Sequence, residues 1–183
     1  MKDVMIDLET LGTQPGSVIL SIGAVLFDPK QPVDTCVGSR FYAVINQASC
    51  IDAGLKTDPN TVKWWEGQSE DARKVLTESI DMTASAQLFS TLQMLSRFVK
   101  EDMRVWSNGA AFDQPLLDVA YNAVGLPLPW KYWNSRCYRT ITNLHPNRKE
   151  MEPQTVLAHN ALEDAIWQAK HMVAIVQDLG INI

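Results

Sequence analysis

The apolar segment from Val4 to Thr10 constrains the fold most, because two acidic residues, Asp7 and Glu9, interrupt it. Its composition predicts a largely buried strand. Side chains two positions apart on a strand project from the same face, so the two carboxylates would stand together. Buried like charges repel and lose hydration, which favours a bound cation between them. Oxygen-only ligands of this kind suit Mg²⁺ or Mn²⁺.

A second segment carries another acidic residue close to a strand end. The sequence from Met103 to Trp106 predicts a short strand, and the small residues after it predict a turn. Pro115 fits the first turn of a helix, where its missing N–H group is not needed. Asp113 is therefore expected at the start of that helix.

A third segment contains His159, Asn160, Glu163 and Asp164. His159 and Asp164 could not share one helical face, because five residues turn a helix by about 500°. An N-cap at Asn160 removes the conflict, since His159 then lies in the preceding loop. Glu163 falls three positions after this cap, as in a capping box.

These three segments, in this order, resemble the three exonuclease motifs of the DEDDh (DnaQ-like) 3′–5′ exonuclease superfamily. Asp7 and Glu9 match the first motif, Asp113 the second, and His159 with Asp164 the third. Each motif alone is weak, whereas three in order over about residues 4–170 form a strong signal. The resemblance implies an α/β, ribonuclease H-like fold, in which helices flank a mixed central sheet.

The resemblance also implies a role for each matched residue. In the superfamily, four carboxylates hold two divalent ions about 4 Å apart. Asp7 would bridge both ions, Glu9 and Asp164 would complete one site, and Asp113 would act on the second. His159 would take the proton from the attacking water. The implied products are nucleoside 5′-monophosphates released from a 3′ end.

Further residues are expected to contact the nucleic acid. By resemblance, Thr10 and Leu11 would touch the terminal nucleotide, and we assign the same kind of role to Asn108, Phe112 and Arg136.

A narrower similarity lies between the first two motifs. The residues Thr61-Val62-Lys63-Trp64-Trp65, followed by Gln68-Ser69 and Ala72-Arg73, are similar to phage exodeoxyribonuclease A and to a bacterial 3′–5′ exoribonuclease family. Since these relatives differ in substrate, the similarity leaves DNA or RNA open. One tryptophan is expected in the core, and the other at a base or a partner subunit.

Composition is typical of one globular domain over residues 1–183. The three cysteines have no metal-ligand or disulfide spacing and indicate free thiols in the cytoplasm. No apolar run is long enough to cross a membrane. The net charge of −5 argues against a long duplex footprint, so a single-stranded DNA or RNA end is the expected partner. The six tryptophans are compatible with a homodimer.

Hydrophobic periodicity places the remaining elements. Strands are predicted over 4–10, 18–27, 41–45 and 103–107. Helices are predicted over 59–65, 69–76, 84–100 and 113–124, with a final helix that ends at Gly180. We interpret His145 and His171, which lie outside the motifs, as surface or packing residues.

A basic and aromatic segment follows the second motif, since residues 119–149 contain no acidic residue. Basic side chains beside aromatic ones are typical of single-strand binding. Packing in the core or at a subunit contact explains the aromatic residues equally well. The segment contains Trp130, Lys131, Tyr132, Trp133, Arg136, Tyr138, Arg139, Arg148 and Lys149.

Two other functions compete with a 3′–5′ exonuclease. A nucleic-acid-binding module that lacks catalysis is disfavoured, because all five motif positions carry the required residue types. An endonuclease of the ribonuclease H type is disfavoured by the spacing of His159 and Asp164.

Overall fold

A five-stranded mixed sheet forms the centre of the computed structural model, which describes residues 2–109, 111–151 and 159–183. The spatial order is β3-β2-β1-β4-β5. The first three strands are antiparallel, whereas β4 runs parallel to β1 and β5 runs parallel to β4. The strands are β1 (Asp3–Thr10), β2 (Ile19–Phe27), β3 (Val37–Val44), β4 (Arg104–Ser107) and β5 (Ser135–Cys137).

Helices flank this sheet, which confirms the predicted architecture. Short 3₁₀ turns lie at Tyr132–Asn134 and Arg148–Met151. The α-helices are α1 (Gln47–Asp52), α2 (Pro59–Glu66), α3 (Glu70–Ile80), α4 (Leu88–Phe98), α5 (Asp113–Ala123), α6 (Tyr138–Thr142) and α7 (Ala161–Asp178).

The central strand β1 divides its side chains between two cores. Val4, Ile6 and Leu8 enter the larger core, which also contains side chains of α4 and α5. Met5 enters the smaller core, which contains the apolar face of α7. Because side chains alternate along a strand, Asp7 and Glu9 project on the same side as Met5. The alternation therefore directs both acidic side chains toward α7.

Most predicted elements are confirmed, with shifts at their ends. The helix predicted over 84–100 begins only at Leu88, and the helix predicted over 69–76 continues to Ile80. The elements α1, β5 and α6 were not predicted from the sequence. All three are six residues or shorter, so they offer too few residues for a periodic pattern to emerge.

The first turn of α7 packs closely against β2 at Gly23. A Cβ atom at this position would lie 2.1 Å from the Ala161 carbonyl carbon and 2.2 Å from the Leu162 nitrogen. Gly23 is also paired with Asp7 across the two strands. The missing side chain therefore lets the first turn of α7 approach the acidic part of β1.

We expect Gly23→Ala to lower the free energy of unfolding by about 1–3 kcal/mol, because overpacking forces the backbone apart. The same shift would displace the first turn of α7 and reduce the activity of the site described below. Urea unfolding followed by circular dichroism measures the change in stability. Gly67→Ala is the matched control, since the Cβ there would meet only the Trp64 carbonyl oxygen at 3.5 Å. Equal stabilities of the two variants would contradict this account.

The two histidines outside the motifs are packing residues, as predicted. His171 is buried, with its ring nitrogens at 2.6 Å from the Tyr138 hydroxyl and 2.7 Å from the Arg148 carbonyl oxygen. His145 lies 2.8 Å from the Asp178 carboxylate. Among the described residues, no helix is long and apolar enough to span a membrane.

Candidate active site

Three carboxylates converge between β1 and α7. Asp7 and Glu9 project from β1, and Asp164 projects from the first turn of α7. One oxygen of each group lies within 4.8 Å of the others. Oxygen atoms at this separation can share one hard cation, so residues 155 positions apart in sequence form one potential metal site.

The N-terminus of α7 is capped as the sequence predicts. The backbone N–H groups of Leu162 and Glu163 donate to Asn160 Oδ1 at 3.1 and 3.2 Å. His159 precedes this cap in the left-handed region, with φ of 64°. A non-glycine residue rarely adopts this conformation without compensating contacts. The cap thus separates His159 from the helix, as required for it to approach Asp164 from the loop side.

Two tryptophans of α2 pack against the His159 ring. The ring centroid of Trp64 lies 5.2 Å from that of His159, and the two planes are perpendicular. Trp65 lies 6.3 Å away and donates from Nε1 to the Thr10 carbonyl oxygen at 2.9 Å. Trp65 is buried in the core, whereas Trp64 is 46% exposed. The expectation of one core tryptophan is therefore met, and the exposed one lies at the site.

Asp113 lies near this cluster, since its charge raises the pKa of Asp7. It is the first residue of α5 and is only 2% exposed. Its Oδ2 atom has no hydrogen-bond partner among the described residues. Since a buried carboxylate oxygen is costly without a partner, this atom fits a position beside a cation.

Burial and mutual repulsion raise the pKa values of these carboxyl groups. Burial raises the pKa of Glu9 to about 8, with the charges of Asp164 and Asp113 adding to the effect. Burial also raises the pKa of Asp113 to about 7. The pKa of Asp7 lies well above its ordinary value, because burial and then Asp113, Glu9 and Asp164 oppose its charge.

The charge of His159 acts in the opposite direction on Asp164. Burial raises the pKa of this carboxyl group, and the His159 charge and backbone lower it. Four carboxylates therefore compete for one small region with little cationic compensation from the protein. A divalent cation supplies the missing positive charge, so the donor set fits Mg²⁺ or Mn²⁺.

Gln168 lies outside the three motifs and contacts the cluster directly. Its Nε2 atom donates to Asp7 Oδ1 at 2.7 Å, and this bond lowers the pKa of Asp7. Gln168 follows Asp164 by one helical turn, so both side chains lie on the same face of α7. That spacing was visible in the sequence, but a glutamine four residues after an aspartate is too common to indicate a site.

An apolar pocket of about 440 Å³ opens on the Glu9 side of the cluster. The exposed ring of Trp64, the partly buried ring of Phe112 and the side chain of Thr10 contribute to its wall. Its full lining is Leu8, Glu9, Thr10, Thr13, Asp58, Asn60, Thr61, Trp64, Trp65 and Phe112. Pockets of this kind accept flat or apolar groups of a small ligand.

A polar pocket of about 420 Å³ opens on the Asp113 side. Phe112 lines both pockets and thus separates them. The full lining of the polar pocket is Asp7, Asn108, Gly109, Ala111, Phe112, Asp113 and Arg139. Its positively charged member is Arg139, which the sequence analysis had named only as one of several basic residues.

Two of the residues expected to bind nucleic acid line neither pocket. Leu11 is a core residue and is 3% exposed, so its side chain offers almost no surface to a ligand. Arg136 does not line the polar pocket, and its Nη1 atom donates to the carbonyl oxygens of Trp133 and Ser135. Arg136 belongs to the strand β5, where Gln114 Nε2 donates to its carbonyl oxygen.

The basic and aromatic segment is divided in the structure. Trp130 and Tyr138 are buried, which supports the packing interpretation for these two. Tyr132 and Trp133 are exposed and contact each other edge to face, with centroids 4.9 Å apart. The packing interpretation therefore holds for Trp130 and Tyr138, whereas single-strand binding by the exposed aromatic residues stays a prediction.

Comparisons with known proteins identify related nucleases. Residues 2–176 match the family model described as the 3′–5′ exoribonuclease Rv2179c-like domain. An exodeoxyribonuclease of Enterobacteria phage T4 is 26% identical over 166 residues, which cover 76% of this chain and 70% of that protein. Both similarities agree with the relatives expected from the residues around Trp64.

Solved structures show the same fold. Exonuclease X in complex with 5′ overhanging duplex DNA aligns with a TM-score of 0.58 at 14% identity, covering 98% of this chain and 93% of that one. The nuclease domain of 3′hExo, a DEDDh family member bound to rAMP, aligns with a TM-score of 0.58 at 12% identity, covering 97% and 93%. The ribonuclease H-like fold is therefore confirmed. Because the family model spans nearly the whole chain, the protein belongs to the family of 3′–5′ exoribonuclease Rv2179c-like domains and is a 3′–5′ exonuclease.

Proposed function

We propose that the enzyme uses two divalent cations, Mg²⁺ or Mn²⁺, to hydrolyse phosphodiester bonds at the 3′ end of single-stranded DNA or RNA. The products are nucleoside 5′-monophosphates. The observation that carries this proposal is the convergence of Asp7, Glu9 and Asp164 within 4.8 Å, near the buried Asp113, one of whose oxygens has no hydrogen-bond partner in the described part of the chain.

Each residue of the cluster has a distinct proposed role. The other three carboxylates all raise the pKa of Asp7, and this group would contribute to both cation sites. Glu9 and Asp164 complete one cation site, and Asp113 serves the second. When bound, the cations supply Lewis-acid stabilisation of the phosphate charge and make hydroxide available near neutral pH. Gln168 holds the Asp7 carboxylate in position through its 2.7 Å bond.

His159 is the proposed general base. A histidine changes its charge near neutral pH, which suits it to accept a proton from water. The perpendicular contact with Trp64 restricts its ring, and Asp164 is close enough for the His159 charge to lower that carboxyl pKa. Asp164 would in turn favour the protonated imidazole formed during the reaction.

The two pockets support a single-stranded substrate. The apolar pocket, with Thr10 and Trp64 in its wall, fits the terminal nucleoside. The polar pocket, with Asn108 beside Phe112, fits the part of the strand that continues away from the cut bond. The printed names of the relatives mention both DNA and RNA, so we propose activity on one or both sugars.

Matched DNA and RNA oligonucleotides labelled at either end test this function. With Mg²⁺ or Mn²⁺, the 3′ label is expected to be released immediately as a mononucleotide. The 5′-labelled strand is expected to shorten one nucleotide at a time. EDTA should stop the degradation of both labelled strands. Cleavage of a circular single strand would refute exonuclease action and support the endonuclease alternative.

Metal removal provides a separate prediction about stability. The pKa of Glu9 rises from 4.5 to about 8 on folding. A raised folded-state pKa contributes stability that is complete below 4.5 and is lost as the pH rises through about 8. We therefore expect the Tm of the protein in EDTA to fall over this range.

Saturating Mg²⁺ or Mn²⁺ is expected to oppose that fall, because it binds the ionised carboxylates of the folded state. The difference in Tm between metal-loaded and EDTA-treated protein should widen from pH 6 to pH 8. Differential scanning fluorimetry at constant ionic strength measures it, with Na⁺ as the control cation. A constant difference would contradict metal binding by these groups.

Two lesser proposals concern assembly and location. We propose that the protein forms a homodimer. The exposed rings of Trp64 and Trp133 would contribute to its interface. Light scattering measures the oligomeric state. We also propose a cytoplasmic location, supported by the free thiols of Cys36, Cys50 and Cys137.

A further inference from the structure

Arg139 contributes a positive charge to the polar pocket beside the acidic cluster. It lies on α6, follows β5 closely in sequence, and lines the pocket together with Asp7 and Asp113. Its charge lowers the pKa of Asp113, so the guanidinium lies within electrostatic range of that carboxylate. Nevertheless, the ion pairs formed by the described residues do not include Arg139.

Asn108 holds the Arg139 side chain from one side. Arg139 Nε donates to Asn108 Oδ1, and Arg139 Nη2 donates to the Asn108 carbonyl oxygen, both at 3.3 Å. A guanidinium has five N–H groups, so these two bonds leave three for a ligand. The side chain is exposed and thus accessible from the pocket. An arginine that is positioned but not neutralised is suited to a phosphate, which it can bind through two parallel hydrogen bonds.

The order of the pockets indicates which phosphate this is. The apolar pocket lies on the Glu9 side of the cluster, and the polar pocket lies on the Asp113 side. With the terminal nucleoside in the apolar pocket, the bond to be cut lies at the carboxylates. The strand then leaves through the polar pocket, where the next phosphate encountered is the one on the 5′ side of the penultimate nucleotide.

We propose that Arg139 binds the phosphate on the 5′ side of the penultimate nucleotide. The enzyme should therefore prefer 3′ ends on which this phosphate is present. The inference rests on the proposed function and extends it to a second subsite. It predicts that a dinucleotide with a 5′-phosphate is a better substrate than the same dinucleotide with a 5′-hydroxyl, because only the first offers the phosphate to Arg139.

The test compares kcat/KM for these two dinucleotides in wild-type protein and in Arg139→Ala. The preference of the wild type for the 5′-phosphorylated form is expected to fall roughly 10- to 100-fold in the variant, the range for a lost charge-assisted contact. Arg139→Lys keeps the charge without the planar fork, so it should retain part of the preference. Arg40→Ala removes an exposed arginine from β3, at the opposite edge of the sheet, and should leave the preference unchanged.

The outcomes separate this inference from the function on which it rests. If Arg139→Ala lowers kcat/KM equally for both dinucleotides, Arg139 acts on the acidic cluster and the subsite is refuted. An unchanged preference in the variant refutes it as well. A wild-type protein that cleaves neither dinucleotide nor longer strands would overturn the proposed function together with the inference. Thermal unfolding of each variant verifies that folding is intact.

Discussion

Replacing Asp7 with asparagine should lower the exonuclease rate by roughly 10³-fold or more, because metal-supplied charge stabilisation contributes several kcal/mol to the rate. Asp7 is expected to have this large effect because its carboxylate would contribute to both proposed cation sites. Its pKa responds to Asp113, Glu9 and Asp164 together, so it is placed to contribute to both proposed cation sites. An asparagine preserves the shape and retains one oxygen, but it removes the negative charge that attracts the cations.

The measurement is single-turnover cleavage of a 5′-labelled oligonucleotide with excess Mg²⁺. Asp118→Asn provides the matched control, since this aspartate is exposed on α5 outside both pockets. Its rate should remain within about twofold of the wild type, as surface changes generally have small effects. An Asp7→Asn protein that keeps more than a tenth of the wild-type rate would exclude Asp7 from the proposed role.

The same substitution should raise the Tm of the metal-free protein. Burial and three neighbouring carboxylates oppose the Asp7 charge, so removing that charge relieves repulsion in the folded state. The rise in Tm caused by Mg²⁺ should shrink at the same time. A variant that is inactive, more stable without metal and less responsive to metal cannot be explained by misfolding. This opposition between activity and stability is typical of residues retained for function.

Local patterns predicted where the acidic residues lie on their own strands and helices, and the resemblance to the DEDDh superfamily implied that they converge. Alternation on β1 places Asp7 and Glu9 on one face, and a cap at Asn160 separates His159 from α7. Both arguments depend on backbone geometry within a few residues, which the sequence determines directly.

Contacts between distant segments were harder to predict. Gln168 reaches Asp7 only because α7 packs against β1, and this approach depends on the missing side chain of Gly23. Arg139 rather than Arg136 lines the polar pocket, because the short strand β5 ends at Cys137 and a helical turn follows it. No periodicity emerges over three residues, so the direction of either arginine could not be derived from the sequence.

The left-handed conformation of His159 was not predicted from the sequence either. Placement in a loop followed from the cap, but a φ of 64° did not. Such a conformation costs about 1–3 kcal/mol and persists only where surrounding contacts enforce it. The contacts seen here are the ring of Trp64 on one side and the capped start of α7 on the other. The helix α2 therefore helps to position His159 near Asp164.

His159→Gln is expected to reduce kcat by roughly 10²- to 10⁴-fold, the usual contribution of a positioned general base. The glutamine fills a similar volume beside Trp64 but cannot accept and release a proton near neutral pH. KM should change little, since the carboxylates and both pockets keep their residues. The rise in Tm caused by Mg²⁺ should also persist, because His159 is outside the proposed cation ligands.

This retained response to metal distinguishes a base from a structural residue. Asp7→Asn should lose both the activity and the metal response, whereas His159→Gln should lose only the activity. His145→Gln is the matched control, because this histidine pairs with Asp178 on the far part of α7 and lines neither pocket. If His159→Gln also abolished the metal response, the histidine would be required to assemble the site, and the attacking water would need another proton acceptor.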